Sequence, residues 1–293
     1  MGLMVARPGR ARIRPARGDN AQMSAQEEWA RALAGWALPP EILDRAPESP
    51  WTLPPPAFAA MAVRALSSPL TPTHQRVLEA LPAQGTLLDV GAGAGAASLP
   101  LASRAGLIVA VDQSQEMLDR MAELARGRVR LQAVKGVWPE AAARVRPADV
   151  VVCANVAYNV PELGAFVQAL TARARRRVVL ELTTRHPQEP LNWLWERFWR
   201  LPRPVRPTAE DAAAVVREAV GGPVAEARWQ RANHSSSPPD PEEVAWLRRR
   251  LCLDPSRDAE VAAALAQRPG EGADREMATF WWEGQAAEGS SPP

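Results

Sequence analysis

An apolar strand that ends in an acid and runs into three alternating glycines, Thr86-Leu87-Leu88-Asp89-Val90-Gly91-Ala92-Gly93-Ala94-Gly95, constrains this chain more than any other stretch. Glycines leave out the Cβ where a backbone must turn sharply or approach a ligand closely. The small-residue run that follows predicts a helix with free N–H groups at its first turn. Such a loop suits a nucleotide-containing cofactor. Its spacing is G-x-G-x-G, whereas dinucleotide loops use G-x-G-x-x-G, and Asp89 would sit poorly beside a pyrophosphate but would complement an ammonium. The ligand expected from these residues combines an ammonium, a ribose and an adenine. An ordinary strand–helix turn would use the same residues; the later strands separate the two readings.

Leu107-Ile108-Val109-Ala110-Val111-Asp112 is a second apolar, β-branched run ending in an acid, about twenty residues past the first acid, which is βαβ spacing. An acid at that strand tip can accept both ribose hydroxyls, or it can serve as a helix N-terminal acid favoured by the dipole. Ser114 then opens a helix. Arg128 to Val134 alternates as a third strand, Ala148 to Ala154 is a fourth and Arg176 to Thr183 a fifth. Thr208 with Asp211 reads as a capping box for a helix over 209–219, followed by strands at Val224 to Trp229 and Met277 to Trp282. In an open α/β sheet, ligands bind outside the carboxyl ends of the strands. Asp89, Asp112, Val137 and Asn155 all fall at such ends.

At these residues the chain resembles the class I S-adenosylmethionine-dependent methyltransferases, whose first motif is matched at Asp89, Gly91, Gly93 and Gly95. The resemblance implies S-adenosylmethionine as cofactor, with Ala92 in the glycine loop, Asp112 on the ribose, Gln113 beside the adenine and Met117 packed on the purine. Where the family usually has Gly-Asp or Gly-Asn, this chain has Gly136-Val137. That leaves the Val137 N–H and the Trp138 ring as adenine contacts, although Trp138 equally suits a core position. Backbone near Asn155 would touch the methionine part of the cofactor. Asn155 and Tyr158 have the spacing of an Asn/Asp-Pro-Pro-Tyr/Phe turn of amino-group methyltransferases, but Val156 and Ala157 replace both prolines and leave the turn unstiffened. Tyr158, the only tyrosine, either lines a substrate pocket or packs; Trp51 and Trp195 are further pocket candidates. No general base is identifiable, so the catalytic residues are unassigned.

The expected fold is a doubly wound, Rossmann-like α/β sheet of seven strands with an antiparallel edge strand. An N-terminal helical lid spans 23–74, and the methyltransferase domain spans 75–283 with a helical insert at 241–267. A flexible tail covers 284–293. Residues 1–22 are Arg-, Gly- and Pro-rich; they are expected to be disordered or to precede a working start at Met23. The formal charge of +2 suggests a nucleic-acid partner until those 22 residues are set aside, which leaves 30 basic and 32 acidic residues. That balance disfavours RNA and favours a small-molecule acceptor; an RNA or protein methyltransferase and a non-catalytic S-adenosylmethionine-binding protein remain alternatives. Lys135 is the single lysine against 34 arginines, a composition typical of a GC-rich bacterial genome. No apolar run is long enough to span a bilayer, and the scattered Cys153, Cys252, His74, His186 and His234 make no metal or Ser-His-Asp pattern, which together fit a cytoplasmic, metal-free protein. Leu191, Leu194, Trp195, Phe198 and Trp199 share one helical face that either packs or meets an apolar substrate or membrane surface. Arg248-Arg249-Arg250 is expected to be solvated near a helix C-terminus. The segments Pro187 to Pro204 and Arg248 to Leu253 are also similar to uncharacterised methyltransferases of actinobacterial type, a likeness that brings no substrate.

Overall fold

The computed structural model describes residues 23–50, 55–232, 240–267 and 274–285. Four helices come first: α1 (Ala25–Ala34), α2 (Pro40–Leu43), α3 (Pro55–Ser67) and α4 (Pro72–Ala80). Strands β1 (Gly85–Val90) and β2 (Ala105–Asp112) lead through α5 (Gln115–Ala125) to β3 (Arg130–Lys135) and β4 (Ala148–Ala154). Then come α6 (Leu163–Arg173), β5 (Ala174–Thr183), α7 (Asn192–Trp199), α8 (Ala209–Val220), β6 (Ala225–Arg231), α9 (Pro241–Arg250), α10 (Asp258–Leu265) and β7 (Arg275–Glu283). The caps are written in the sequence. Ser24 and Glu27 form a capping box on α1, and Thr208 with Asp211 forms the expected one on α8.

The strands make one seven-stranded sheet in the order β3-β2-β1-β4-β5-β7-β6. The first five strands are parallel and β7 runs antiparallel to both of its neighbours. The expected antiparallel strand is therefore one position in from the edge, with β6 outside it. Residue character explains the placement: Met277 to Phe280 are buried on both faces, as an interior strand requires, whereas β6 carries Glu226, Arg228, Gln230 and Arg231 and tolerates an edge.

Each face of the sheet has its own core. On one, Leu88, Val90, Val151, Val178, Leu180 and Phe280 pack under α6, α8 and Trp29 of α1. On the other, Leu87, Ile108, Val150, Val152 and Val179 pack under Val77 and Leu81 at α4 and under Leu118 and Met121 of α5. The helix expected after the glycine loop does not form. Its place holds only a 3-10 turn, Leu99–Leu101, because the link to β2 is short and Pro100 removes a backbone donor. A similar 3-10 turn, Glu140–Arg144, replaces a helix between β3 and β4.

A third apolar cluster joins α2, α7, α9 and α10 through Leu38, Ile42, Leu194, Trp195, Leu247 and Val261. Because α7 leaves β5, and α9 and α10 bridge β6 to β7, this helical cap stands at the carboxyl end of the sheet. The N-terminal stretch expected to form one lid is divided among three places. Helix α1 lies on α6 and α8, α2 enters the cap, and α3 and α4 cover the opposite face. The aromatic face of α7 is packed inside the cap, with Trp199 Nε1 donating to the Leu251 carbonyl at 2.7 Å. No described helix is long and apolar enough to cross a membrane.

The three arginines are also structural, contrary to the solvated role expected for them. Arg248, with 8% of its side chain exposed, bonds Glu48 at 2.8 Å and Asp258 at 3.1 Å, and Arg250 donates to the Pro50 carbonyl at 2.9 Å. They tie the end of the N-terminal segment to α9. Replacing Arg248 by Ala takes the cation from Asp258 and leaves Glu48 only its longer, 3.9 Å pair with Arg249, so chemical denaturation should show a loss of about 1–2 kcal/mol, given that both acids are half in water. Limited proteolysis should at the same time cut faster near residues 45–50; unchanged stability and cutting would contradict the tie.

Candidate active site at the carboxyl end of the sheet

The glycine loop has the backbone that its residues foretell. Gly91, Gly93 and Gly95 adopt φ of +70°, +51° and +91°, in the left-handed region where a Cβ is strained. They differ in what surrounds them. A Cβ on Gly91 would lie 2.3 Å from Val156 Cγ2 and one on Gly95 2.7 Å from Leu99, whereas a Cβ on Gly93 meets nothing within 4 Å. The outer two glycines let the loop pack, and Gly93 faces open space. Between them Ala92 is buried and donates to the Val111 carbonyl at 3.1 Å, which holds the loop to β2.

Asp89, the last residue but one of β1, lies on the face shared with Leu87, fully buried, and neither of its oxygens has a hydrogen-bond partner among the described residues. Burial pushes its carboxyl up to about 7, and the charge of Asp112 adds a little; the nearby Ser98 hydroxyl pulls part of the way back without making a well-formed hydrogen bond. A buried carboxylate without a partner is costly, so its presence at the root of a ligand loop marks it for a cationic or donor group.

Asp112 closes the loop from the other side. One oxygen accepts the Gly93 N–H and the other the Ser114 N–H, both at 2.8 Å. Each oxygen keeps a second lone-pair site, enough for ribose hydroxyls. Gln113 is exposed beside it, and Met117 is buried in the first turn of α5, where Ser114 caps the helix. At the tip of β3 the Gly136 N–H donates to the Asp112 carbonyl at 2.8 Å, and Val137 is 56% exposed. Trp138, by contrast, is a core residue with its indole N–H directed at the Phe166 carbonyl at 3.4 Å, so the adenine contact suggested for its ring has no exposed surface to rest on.

Asn155 lies at the tip of β4 with φ +60°, its Nδ2 donating to Glu181 Oε1 at 2.9 Å. Tyr158 packs: its hydroxyl donates to the Thr183 carbonyl at 2.8 Å, and its ring stacks on Trp29 and meets His186 edge-on. Burial raises its hydroxyl pKa further. Trp195 is 2% exposed inside the cap, beneath the Arg203 guanidinium, so neither of these two rings lines an open pocket; Trp51 lies outside the described residues. His186 stacks face to face on Trp36 at 3.7 Å and is held down to about 4 by burial and then by Arg203 and Arg250, which keeps it neutral at physiological pH.

Sequence reasoning passed over Glu181, His74 and Ser98. Glu181 stands out in hindsight as one acid inside the apolar run Val178 to Leu182. His74, buried in α4, accepts the Thr71 N–H at Nδ1 and faces the backbone of Ala96 and Ala97, supporting the glycine loop from below. No spacing signal marks it. Among the described residues there is no His/Cys/Asp/Glu group able to hold a metal ion.

Comparison with known proteins agrees with this geometry. Residues 87–177 match the family described as a methyltransferase domain. An uncharacterised protein of Haemophilus influenzae is 33% identical over 118 residues, 39% of this chain and 44% of that protein, so the chain spans less than half the length of this relative. The crystal structure of the YcgJ protein from Bacillus subtilis superposes with a TM-score of 0.50 at 16% identity, covering 77% of this chain and 100% of that one. Looser is the likeness to the magnesium protoporphyrin IX methyltransferase of Synechocystis, solved with bound SAH, at TM-score 0.45 and 15% identity over 76% of this chain and 82% of that one. Residues 87–177 thus carry a methyltransferase domain, set in a Rossmann-like sheet of the order β3-β2-β1-β4-β5-β7-β6. S-adenosylmethionine is the cofactor that such a domain takes.

Two substitutions separate packing from binding in the loop. Gly93→Ala should keep most of its stability, losing about 1 kcal/mol to strain, yet bind S-adenosylhomocysteine poorly, whereas Gly95→Ala should lose about 2 kcal/mol or more to overpacking. Equal stability loss in thermal unfolding would contradict the assignment. Asp89 also gives a pH signature. Its folded-state pKa lies above its unfolded value, so its burial carries no ionisation cost below about pH 4, and stability is lost as pH rises through about 7. For the cofactor-free protein, Asp89→Asn should gain on wild type by about 2–4 kcal/mol between pH 4 and pH 8 in denaturant titrations; a constant difference would rule out the unpaired carboxylate.

Proposed function

We propose that this protein transfers the methyl group of S-adenosylmethionine to a small-molecule acceptor. The observation that carries the reading is the pairing of a buried, partnerless carboxylate at Asp89 with a loop whose central glycine faces open space. Asp89 would meet the cofactor's ammonium, directly or across one ordered water. Asp112 would take the ribose hydroxyls on its remaining lone pairs, Gln113 and Val137 would border the adenine, and backbone at Asn155 would border the methionine part. When bound, the cofactor supplies a sulfonium-activated methyl group. The chain's task is then to hold the acceptor in line and dry, an arrangement that provides much of the rate in such transfers.

Two features support a small acceptor over RNA. The Tyr158 ring is buried and its hydroxyl engaged, so it offers no face for stacking on an extruded base. Beyond residue 22 the chain has an excess of acidic residues. A second reading, an S-adenosylmethionine-binding protein without transfer activity, is favoured by one observation: Glu181, the acid nearest Asn155, is already engaged by Asn155 and Arg231, so no free proton acceptor stands there among the described residues. An acceptor that is already nucleophilic needs none. The two cysteines are buried as free thiols, which suits a reducing, cytoplasmic location.

Calorimetry with S-adenosylmethionine and S-adenosylhomocysteine should show binding to wild type and losses of about tenfold or more in Asp89→Ala and Asp112→Ala. Absent binding, or undiminished binding in both variants, would overturn the cofactor assignment. Labelled-methyl transfer into fractionated cell extract should then label a low-molecular-weight product; no label in any fraction would leave the binding-protein reading in its place.

A further inference from the structure

Arg231 ends β6 and Arg275 begins β7, and the antiparallel register sets the two directly opposite each other. Side chains so opposed stand on one face of the sheet about 5 Å apart at Cβ, where like charges repel. Nothing in the fold gains from that placement, and its compensation is incomplete. Arg231 reaches Glu181 at 3.8 Å, the outer limit of an ion pair, and that oxygen also accepts the Asn155 amide. Arg275 is partly buried, and its side chain makes no hydrogen bond or ion pair among the described residues. Its neighbour Glu189 is itself bonded to Arg185 at 3.0 Å. Burial and then the charge of Arg231 lower the pKa of Arg275, and Glu189 offsets them only in part.

The position of this pair gives it meaning. Glu181 lies opposite Thr279, and Arg275 lies four residues before Thr279 on β7, so both arginines stand two steps beyond Glu181 on the same face, past the carboxyl end of β5. Thr279 bonds Thr73 of α4 at 2.7 Å, which identifies this as the face that Asp89 shares. Strands lie about 4.8 Å apart, so β7 is two strands, roughly 10 Å, from β4 and Asn155. Arg231 already crosses β7 to reach Glu181. The span from the arginines to Asn155 is thus that of a small molecule.

We propose that Arg231 and Arg275 form a subsite for an oxyanion, a carboxylate or a phosphate group, carried by the methyl acceptor, and that they anchor it with its nucleophile toward Asn155. This rests on the methyl-transfer reading above and narrows its substrate class. Paired guanidiniums suit such a group because their planar forks bind its oxygens two at a time. Glu181 borders Arg231 and Glu189 borders Arg275, an arrangement that admits one compact anion and rejects an extended polyanion.

The test uses the full chain saturated with S-adenosylhomocysteine and titrated calorimetrically with benzoate, phenyl phosphate and the neutral benzamide. Wild type should bind at least one of the two oxyanions saturably, which tells carboxylate from phosphate, and benzamide much more weakly. Arg275→Gln and Arg231→Gln should each weaken that oxyanion about tenfold or more, Arg275→Lys should restore part of it, and S-adenosylhomocysteine affinity should stay the same in all. Equal oxyanion affinity in wild type and both Gln variants, or no saturable oxyanion binding to a complex that holds S-adenosylhomocysteine, would overturn the proposal. Failure of wild type to bind S-adenosylhomocysteine would remove the underlying reading as well.

Discussion

The carboxylate of Asp89 is buried at the end of a central strand with nothing bonded to either oxygen, and much of the surrounding structure is arranged around it. Leu87 and Val152 flank it on the sheet, α4 and the Leu99–Leu101 turn roof it, and the glycine loop leaves from the next residue but one. A globular protein is stable by only about 5–15 kcal/mol, so an uncompensated buried acid is a large concession. Such concessions persist where a ligand supplies the missing partner. On this account the loop's left-handed glycines, the closure of Gly93 by Asp112 and the support from His74 all serve to keep one opening beside a group that lacks a counterion.

The other half of the molecule answers a different constraint. The carboxyl ends of β5 and β6 and the amino end of β7 lie under a cap assembled from pieces far apart in the chain, α2, α7, α9 and α10. Aromatic side chains fill the cap, and arginines pin it: buried Arg248 to Glu48 and Asp258, and half-buried Arg203 to the carbonyls of Trp36 and Ala37. A packed cap of this kind shields the strand ends that it covers. It also explains why Tyr158 and Trp195 are structural, since one belongs to the core beneath α1 and the other to the centre of the cap.

The central sheet was legible because its signals are local. β-Branched runs, an acid at each tip and glycines at fixed spacing follow from backbone geometry over a few residues, and Asp89, Gly91, Gly93, Gly95 and Asp112 all stand where those rules put them. What the sequence concealed depends on contacts across the fold. The helix expected after the loop failed because a single Pro100 and a short link outweighed the helical preference of alanines. Three successive arginines look solvated until Glu48, some two hundred residues earlier, is seen beside them. Trp138 suits adenine and core equally by composition, and only the approach of α6 decides. Glu181 was visible as an acid in an apolar strand, but its partner Arg231 is brought to it by the insertion of β7 between β5 and β6.

The central claim, that Asp89 is an unpaired buried acid completed by the cofactor's ammonium, is tested most directly by its own titration. Carbon-13 NMR of the Asp89 carboxyl should give a pKa of about 7 in the free protein. Saturation with S-adenosylhomocysteine, which keeps the ammonium, should lower it to about 4 or below, because the carboxylate form then has its counterion. A carboxyl that titrates in the ordinary range without ligand, or one whose pKa does not move when ligand binds, would contradict the account.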